Sequence, residues 1–267
     1  MTDAVLLELE DGIARVTLNR PDSYNAIGQE MIQGLLAAGA SVRADESVRV
    51  VVLCGAGRGF CSGLDMASFG EMMSGDLTAD SAAGAFDDLS PAGANLVQQL
   101  GWQWQEMDVP VIAALHGAAM GGGLNLALGA DIRIAAVDSK FGFVEISFGL
   151  LPDMSGTQSL RRLMPLDRAK DLVLSGRKFG AEEALAYGLV TRLSENPLQE
   201  ALELAATIAD RNPDAVQRGK RLLNDLAHMS VREGLIAESN ASREMLGTEN
   251  QLEAVMATVE GRSPNYR

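Results

Sequence analysis

The chain has 267 residues, with 22 Lys and Arg set against 36 Asp and Glu, for a formal net charge of −14. That balance excludes nucleic acid as a partner and gives no general steering toward an anionic cofactor. No apolar run reaches the roughly eighteen residues of a membrane span, and MTDAVLLELEDG lacks the apolar stretch of a signal peptide, so a cytoplasmic, soluble enzyme off the membrane is expected.

In chain order, residues 4–10 and 13–18 alternate across Asp11 and Gly12, a hairpin signal. NRPDSYNAI follows, and QEMIQGLLAAGASV then has helical spacing. VRVVVLCG, Val48 to Gly55, reads as a buried strand running into AGRGFCSGLDM. Residues 66–95 are acidic, small and broken by Gly and Pro, which predicts a long loop. VPVIAAL is a second strand, ending at His116 and Gly117; Gly121, Gly122 and Gly123 come next, then an apolar helical pattern and the strand DIRIAAVD. A glycine turn that opens a helix presents unpaired N–H groups and the positive end of a dipole, which suits a developing negative charge. Strand, strand, helix is the repeating unit.

From Pro197 the pattern is helical. Asn212 before Pro213, Ser230 with Glu233, and Thr248 with Gln251 mark helix starts, giving helices over about 198–211, 213–228, 231–246 and 249–259. The expected division is a core of 1–196 and a helical region of 197–267. Cys54 and Cys61 read as reduced core thiols, and with only His116 and His228 as imidazoles at no zinc spacing, no metal site is expected.

GRGFCSGLDM, HGAAMGGGLNLALGADIRIA and FGFVEISFGLLPDMSGTQSLRRL, three separated motifs in order, resemble the crotonase superfamily of enoyl-CoA hydratases and isomerases. The resemblance runs from NRPDSYNAI to the last helices. It implies an α/β fold, a ββα superhelix with a C-terminal helical oligomerisation region, assembled as a homotrimer or a dimer of trimers. It also implies an acyl-CoA substrate, with no cofactor beyond the coenzyme A that enters with it.

Residue by residue, the resemblance assigns the oxyanion donors to the N–H groups of Leu64 and Gly122. It places the hydratases' two catalytic carboxylate positions at Asn125 and Glu145, so one acid is kept and one is replaced by an amide. Asp153 falls where dienoyl-CoA isomerases carry a catalytic Asp, and CSGLDM and AEEALAYGLVTRL also look closer to those isomerases. Substrate and coenzyme A contacts fall on Asn25, Ala26, Arg58, Ser62, Gly63 and Gly121. Arg20 and Arg262 are further candidates for phosphate contact; Asp22 stands where many crotonases have a basic residue. Met66, Phe69, Met72 and Met73 would line the acyl tail.

On chemistry alone, a thioester enolate needs charge held on its oxygen and a positioned base at carbon. Glu145 is the expected base, sharing a proton with Asp153, an arrangement for moving a double bond; hydratase is the alternative. Other readings stay open: Glu145 in an ion pair with Arg133 or Lys140, Asp153 as a turn or N-cap, the arginines as solvated surface, and the methionines as plain packing. VVVLCGAGRG allows a dinucleotide binder, though Phe60 takes the last glycine's place. A relative that binds acyl-CoA without turnover is the third possibility.

Overall fold

The computed structural model describes residues 3–76, 78, 83–87 and 89–266. β1 (Val5–Glu10) and β2 (Ile13–Leu18) form the expected hairpin, with Val5 opposite Leu18 and Glu10 opposite Ile13. α1 (Gln29–Ala44) buries Met31, Leu35, Ala38 and Val42, one face at helical spacing. β3 (Val50–Gly55) then lies parallel to β2, starting two residues later than expected because the Val48 N–H is used in a turn to Asp45.

The expected loop over 66–95 is corrected in part. Asp65 accepts the Ser68 N–H at 3.0 Å and starts α2 (Met66–Ser74); α3 (Ala83–Asp87) follows, and a reciprocal Asn95–Gln98 capping box starts α4 (Leu96–Gln105). Gly and Pro interrupt this stretch, but the caps at Asp65 and Asn95 each start a helix. Residues 77, 79–82 and 88 of that stretch lie outside those described.

β4 (Val111–Leu115) pairs parallel with β3, and the chain passes through His116 and Gly117 into β5 (Ala118–Met120). α5 (Gly122–Leu128) leads to β6 (Ile132–Ala136), and a second short step leads to β7 (Lys140–Gly142). Each passage takes the chain from a six-stranded sheet, β1-β2-β3-β4-β6-β9 with β9 at Arg192–Ser194, to a three-stranded one, β5-β7-β8 with β8 at Lys178–Gly180. α6 (Gly156–Leu163), α7 (Leu166–Ser175), β8 (Lys178–Gly180), α8 (Ala181–Ala186) and β9 (Arg192–Ser194) complete this ββα winding.

α9 (Pro197–Ala209) starts at Pro197 without a side-chain cap, and α10 (Pro213–Asp225), α11 (Val231–Met245) and α12 (Glu249–Glu260) begin where their caps predict. The boundary at 197, however, does not separate α9 from the core. β3 is buried on both faces: Val51 and Leu53 join the core that holds α1, whereas Val50, Val52 and Cys54 pack with Ile112, Ala114 and Ile134 against Ala201 and Ala205 of α9. A sheet apolar on both sides needs two covers, and α9 is the second. α10 is fastened too, since the buried Lys220 ammonium reaches the Trp104 and Val109 carbonyls at 3.2 and 2.9 Å and Asp131 at 2.8 Å.

Candidate active site

The two expected backbone donors, Leu64 and Gly122, lie on segments that pack together. The segment leaving β3 zips onto β5, with the Cys61 N–H on the Ala118 carbonyl and the Met120 N–H on the Cys61 carbonyl, each at 3.0 Å. It zips onto Ile27 as well: Ile27 donates to Gly63 at 2.7 Å and Asp65 donates to Ile27 at 3.1 Å. In a parallel bridge of that kind the residue between, Leu64, turns its own N–H the other way. Gly122 opens α5, where no preceding turn supplies an acceptor. Among the described backbone hydrogen bonds, neither the Leu64 nor the Gly122 N–H finds a partner. Gly63, at φ 92°, lets the loops close: a Cβ there would stand 2.9 Å from the Met120 carbonyl oxygen and 3.5 Å from the Gly122 nitrogen. Gly121, at φ 50°, keeps space open beside a carboxylate, because a Cβ there would lie 3.5 Å from the Glu145 carboxyl carbon.

Glu145 sits on a 3-10 turn, Val144–Phe148, directly after β7. Its Oε1 accepts a hydrogen bond from Asn125 Nδ2 at 2.6 Å, while Oε2 is buried with no partner among the described residues. Asn125 is buried, and its Nδ2 also donates to the Gly121 carbonyl at 3.0 Å, so two acceptors fix which way the amide faces. Burial pushes the Glu145 carboxyl above the ordinary range; the Asn125 hydrogen bond works against that and the Asp153 charge adds to it. Asp153 has an exposed surface, yet the protein packed behind it raises its carboxyl as well. Asp153 does not cap α6. Ser155, at φ 66°, holds the N-cap position and no side chain caps the helix. The ion-pair reading of Glu145 also falls away, for among the described ion pairs it has none, and Arg133 is buried with its Nε on the Leu189 carbonyl, burial drawing its guanidinium down to about 10.

Two of the residues expected at coenzyme A have their side chains turned into the protein. Asn25 is fully buried, and its side chain is spent on the Ala56, Gly59 and Phe60 carbonyls and the Arg20 N–H. Ala26 is buried, with its N–H on Ser23 and its carbonyl taken by Arg20. Neither presents a side chain to a ligand, because the NRPDSYNAI segment folds inward under the donor loop. Ser62 is held by the Tyr24 and Ser23 carbonyls. Arg58 stacks on the Tyr24 ring at 4.5 Å and makes no ion pair among those described. Arg20 pairs with Asp65 at 3.5 Å, and Arg262 is committed to Glu253 and Glu260 at 2.6 Å each. Of the residues expected at the acyl tail, Phe69 meets Phe148 with ring centroids 4.7 Å apart, while Met66 and Met73 face solvent. The dinucleotide reading fails on geometry: β3 runs into a loop that reaches Asp65 before any helix starts, and Phe60 is wholly buried. A cavity of about 580 Å³ between α6 and α10 is lined by Arg133, Arg162 and Lys220 and by none of the donor or acid residues. Among the described residues, no group of three His, Cys, Asp or Glu side chains could hold a metal ion.

The loop before Leu64 and the start of α5 leave two backbone N–H groups without backbone partners among the described residues, and Glu145 nearby on the chain's second sheet has a raised carboxyl, a set of groups that suits proton transfer next to a carbonyl. Residues 8–267 match the family described as enoyl-CoA hydratase/isomerase. The chain is 36% identical over 266 residues to (E)-benzylidenesuccinyl-CoA hydratase of Thauera aromatica, covering 98% of each chain. It is 33% identical over 261 residues to short-chain-enoyl-CoA hydratase of Clostridium acetobutylicum, covering 97% of this chain and 95% of that one. Among solved structures, enoyl-CoA hydratase from Bacillus anthracis superposes with a TM-score of 0.87 at 30% identity, covering 98% of both chains.

Proposed function

Because the chain belongs to the enoyl-CoA hydratase/isomerase family, we propose that it takes acyl-CoA thioesters and shifts a carbon–carbon double bond through an enolate. The Leu64 and Gly122 amides hold the thioester oxygen as it gains charge. Glu145 removes a proton from one carbon, and the proton returns at another as the enolate collapses, so no atom is gained or lost. The observation that carries the isomerisation is the Asn125–Glu145 hydrogen bond. An amide occupies the position beside the base, so one carboxylate in direct contact does the proton transfer, with the raised Asp153 near enough to bias it.

Hydration is the second reading, favoured by relatives that are named hydratases. Asn125 can hold a water by hydrogen bonds but cannot exchange a proton with it. A panel of 2-enoyl, 3-enoyl and 3,5-dienoyl thioesters with product identification separates the readings. Isomers from the 3-enoyl or dienoyl substrates are expected, with slow water addition to the 2-enoyl one; fast hydration alone reverses the ranking, and tight binding without any turnover leaves an acyl-CoA binder. In this reading Arg58 contacts the coenzyme phosphates, coenzyme A is substrate and no other cofactor takes part. Two buried, unpaired cysteines support a cytoplasmic setting.

A further inference from the structure

The NRPDSYNAI segment has one residue whose bonding exceeds anything its own turn needs. Tyr24 and Asn25 are both left-handed, at φ 52° and 56°, a conformation that non-glycine residues adopt at a cost and Asn tolerates best. That backbone drives the Asn25 side chain into the interior beneath the donor loop. Its Nδ2 approaches the Ala56, Gly59 and Phe60 carbonyls at 2.9, 2.9 and 3.1 Å, and its Oδ1 accepts the Arg20 N–H at 2.8 Å. The Asn25 carbonyl accepts the Cys61 thiol at 3.1 Å, and the preceding Tyr24 carbonyl accepts the Ser62 N–H at 2.9 Å. Two residues on, Ile27 brackets Leu64 from both sides.

We infer that Asn25 is the positioning residue of the Leu64 oxyanion donor: its side chain ties down the loop from Ala56 to Phe60 while Ile27, two residues on, fixes Gly63 and Asp65, so that the Leu64 N–H has one direction left to point. The inference rests on reading Leu64 and Gly122 as the oxyanion hole. It assigns Asn25 no contact with substrate. Three carbonyls of a tight loop converge on one amide, and an acceptor-only side chain of the same shape would face them with repulsion. The loop would then relax, and a donor displaced by about 1 Å costs on the order of a hundredfold in rate.

The test uses Asn25→Asp, which keeps shape and the Arg20 acceptor but removes both donors, and Asn25→Gly, which keeps the left-handed backbone. Butanoyl-CoA labelled at the thioester carbonyl, bound to the enzyme, reports polarisation through its infrared stretch. The wild type should lower that stretch relative to water, and both variants should lose most of the lowering. Turnover on the best substrate of the panel should fall about ten- to a hundredfold, with KM changed less than about threefold, since the loss falls on the transition state. A wild type with no lowered stretch would sink the oxyanion reading and this inference with it. Variants that keep wild-type kcat and stretch, or that fail to fold at all, would make Asn25 a stability residue only and overturn the inference while leaving the oxyanion hole intact.

Discussion

Glu145 Oε2 is buried without a partner while Oε1 is held by Asn125, so the carboxyl has one oxygen free to carry a proton and one fixed for aim. Glu145→Gln should therefore lower turnover by about a hundredfold or more, the scale of a positioned base, while acyl-CoA still binds; single-turnover kinetics beside a binding isotherm check this. The pH dependence follows from the raised carboxyl. A base must be ionised, so kcat/KM should rise with pH through a limb above the ordinary glutamate range. Asp153→Asn removes a neighbouring negative charge, lowers the Glu145 pKa and moves that limb to lower pH, whereas a change in melting temperature alone would return Asp153 to a turn role. A raised folded-state pKa also means that ionised Glu145 weighs against the fold at neutral pH and ceases to do so below its unfolded value. Asn125→Glu restores a second carboxylate in the first turn of α5 and should raise hydration of a short 2-enoyl-CoA by at least about tenfold, well inside what a positioned acid or base supplies. Leu64, Gly122, Asn125 and Glu145 are marked out in the sequence by the motifs that carry the family resemblance. The bond between Asn125 and Glu145 is not, because twenty residues and a change of sheet separate them.

Among the elements, α10 depends on a cation buried against the core. Lys220 and Asp131 are each drawn toward neutrality by burial, the ammonium down and the carboxyl up, against the pull of their own pairing. Removing one partner strands the other. Lys220→Ala should destabilise the fold by about 3–5 kcal/mol, and combining Lys220→Met with Asp131→Asn should recover much of that, read from urea unfolding midpoints. The sequence showed where α10 to α12 begin, because Asn212, Ser230 and Thr248 are local signals that act within one turn. It did not show that α9 covers the sheet. Ala201 and Ala205 are small, which gives a weak apolar stripe, and smallness is what allows α9 to lie close on Val50 and Val52.

At the scale of the molecule, the last two helices leave an apolar surface uncovered. Val231, Leu235 and Ile236 of α11 and Leu252, Val255, Met256 and Val259 of α12 are all exposed, more than scattered surface residues would require. We expect these faces to meet in a homotrimer or a pair of trimers, so sedimentation should give a mass near three or six times the 28.3 kDa chain. Leu235→Glu with Val255→Glu should return the protein to monomer; variants that keep the full assembly would show that another surface builds it.

The sequence by itself determined the hairpin, the buried strands and the starts of α10, α11 and α12, since each is a short-range pattern of period or cap, while the donors and the base are expectations that the family resemblance implies. Only the tertiary structure decided that the Asn25 side chain is buried on the carbonyls of Ala56, Gly59 and Phe60, that Asn125 grips Glu145, and that α9 packs on the core sheet. Those facts depend on which segments lie opposite one another once the two sheets are wound together. A side chain's partner twenty or more residues away along the chain leaves no mark on the pattern around it.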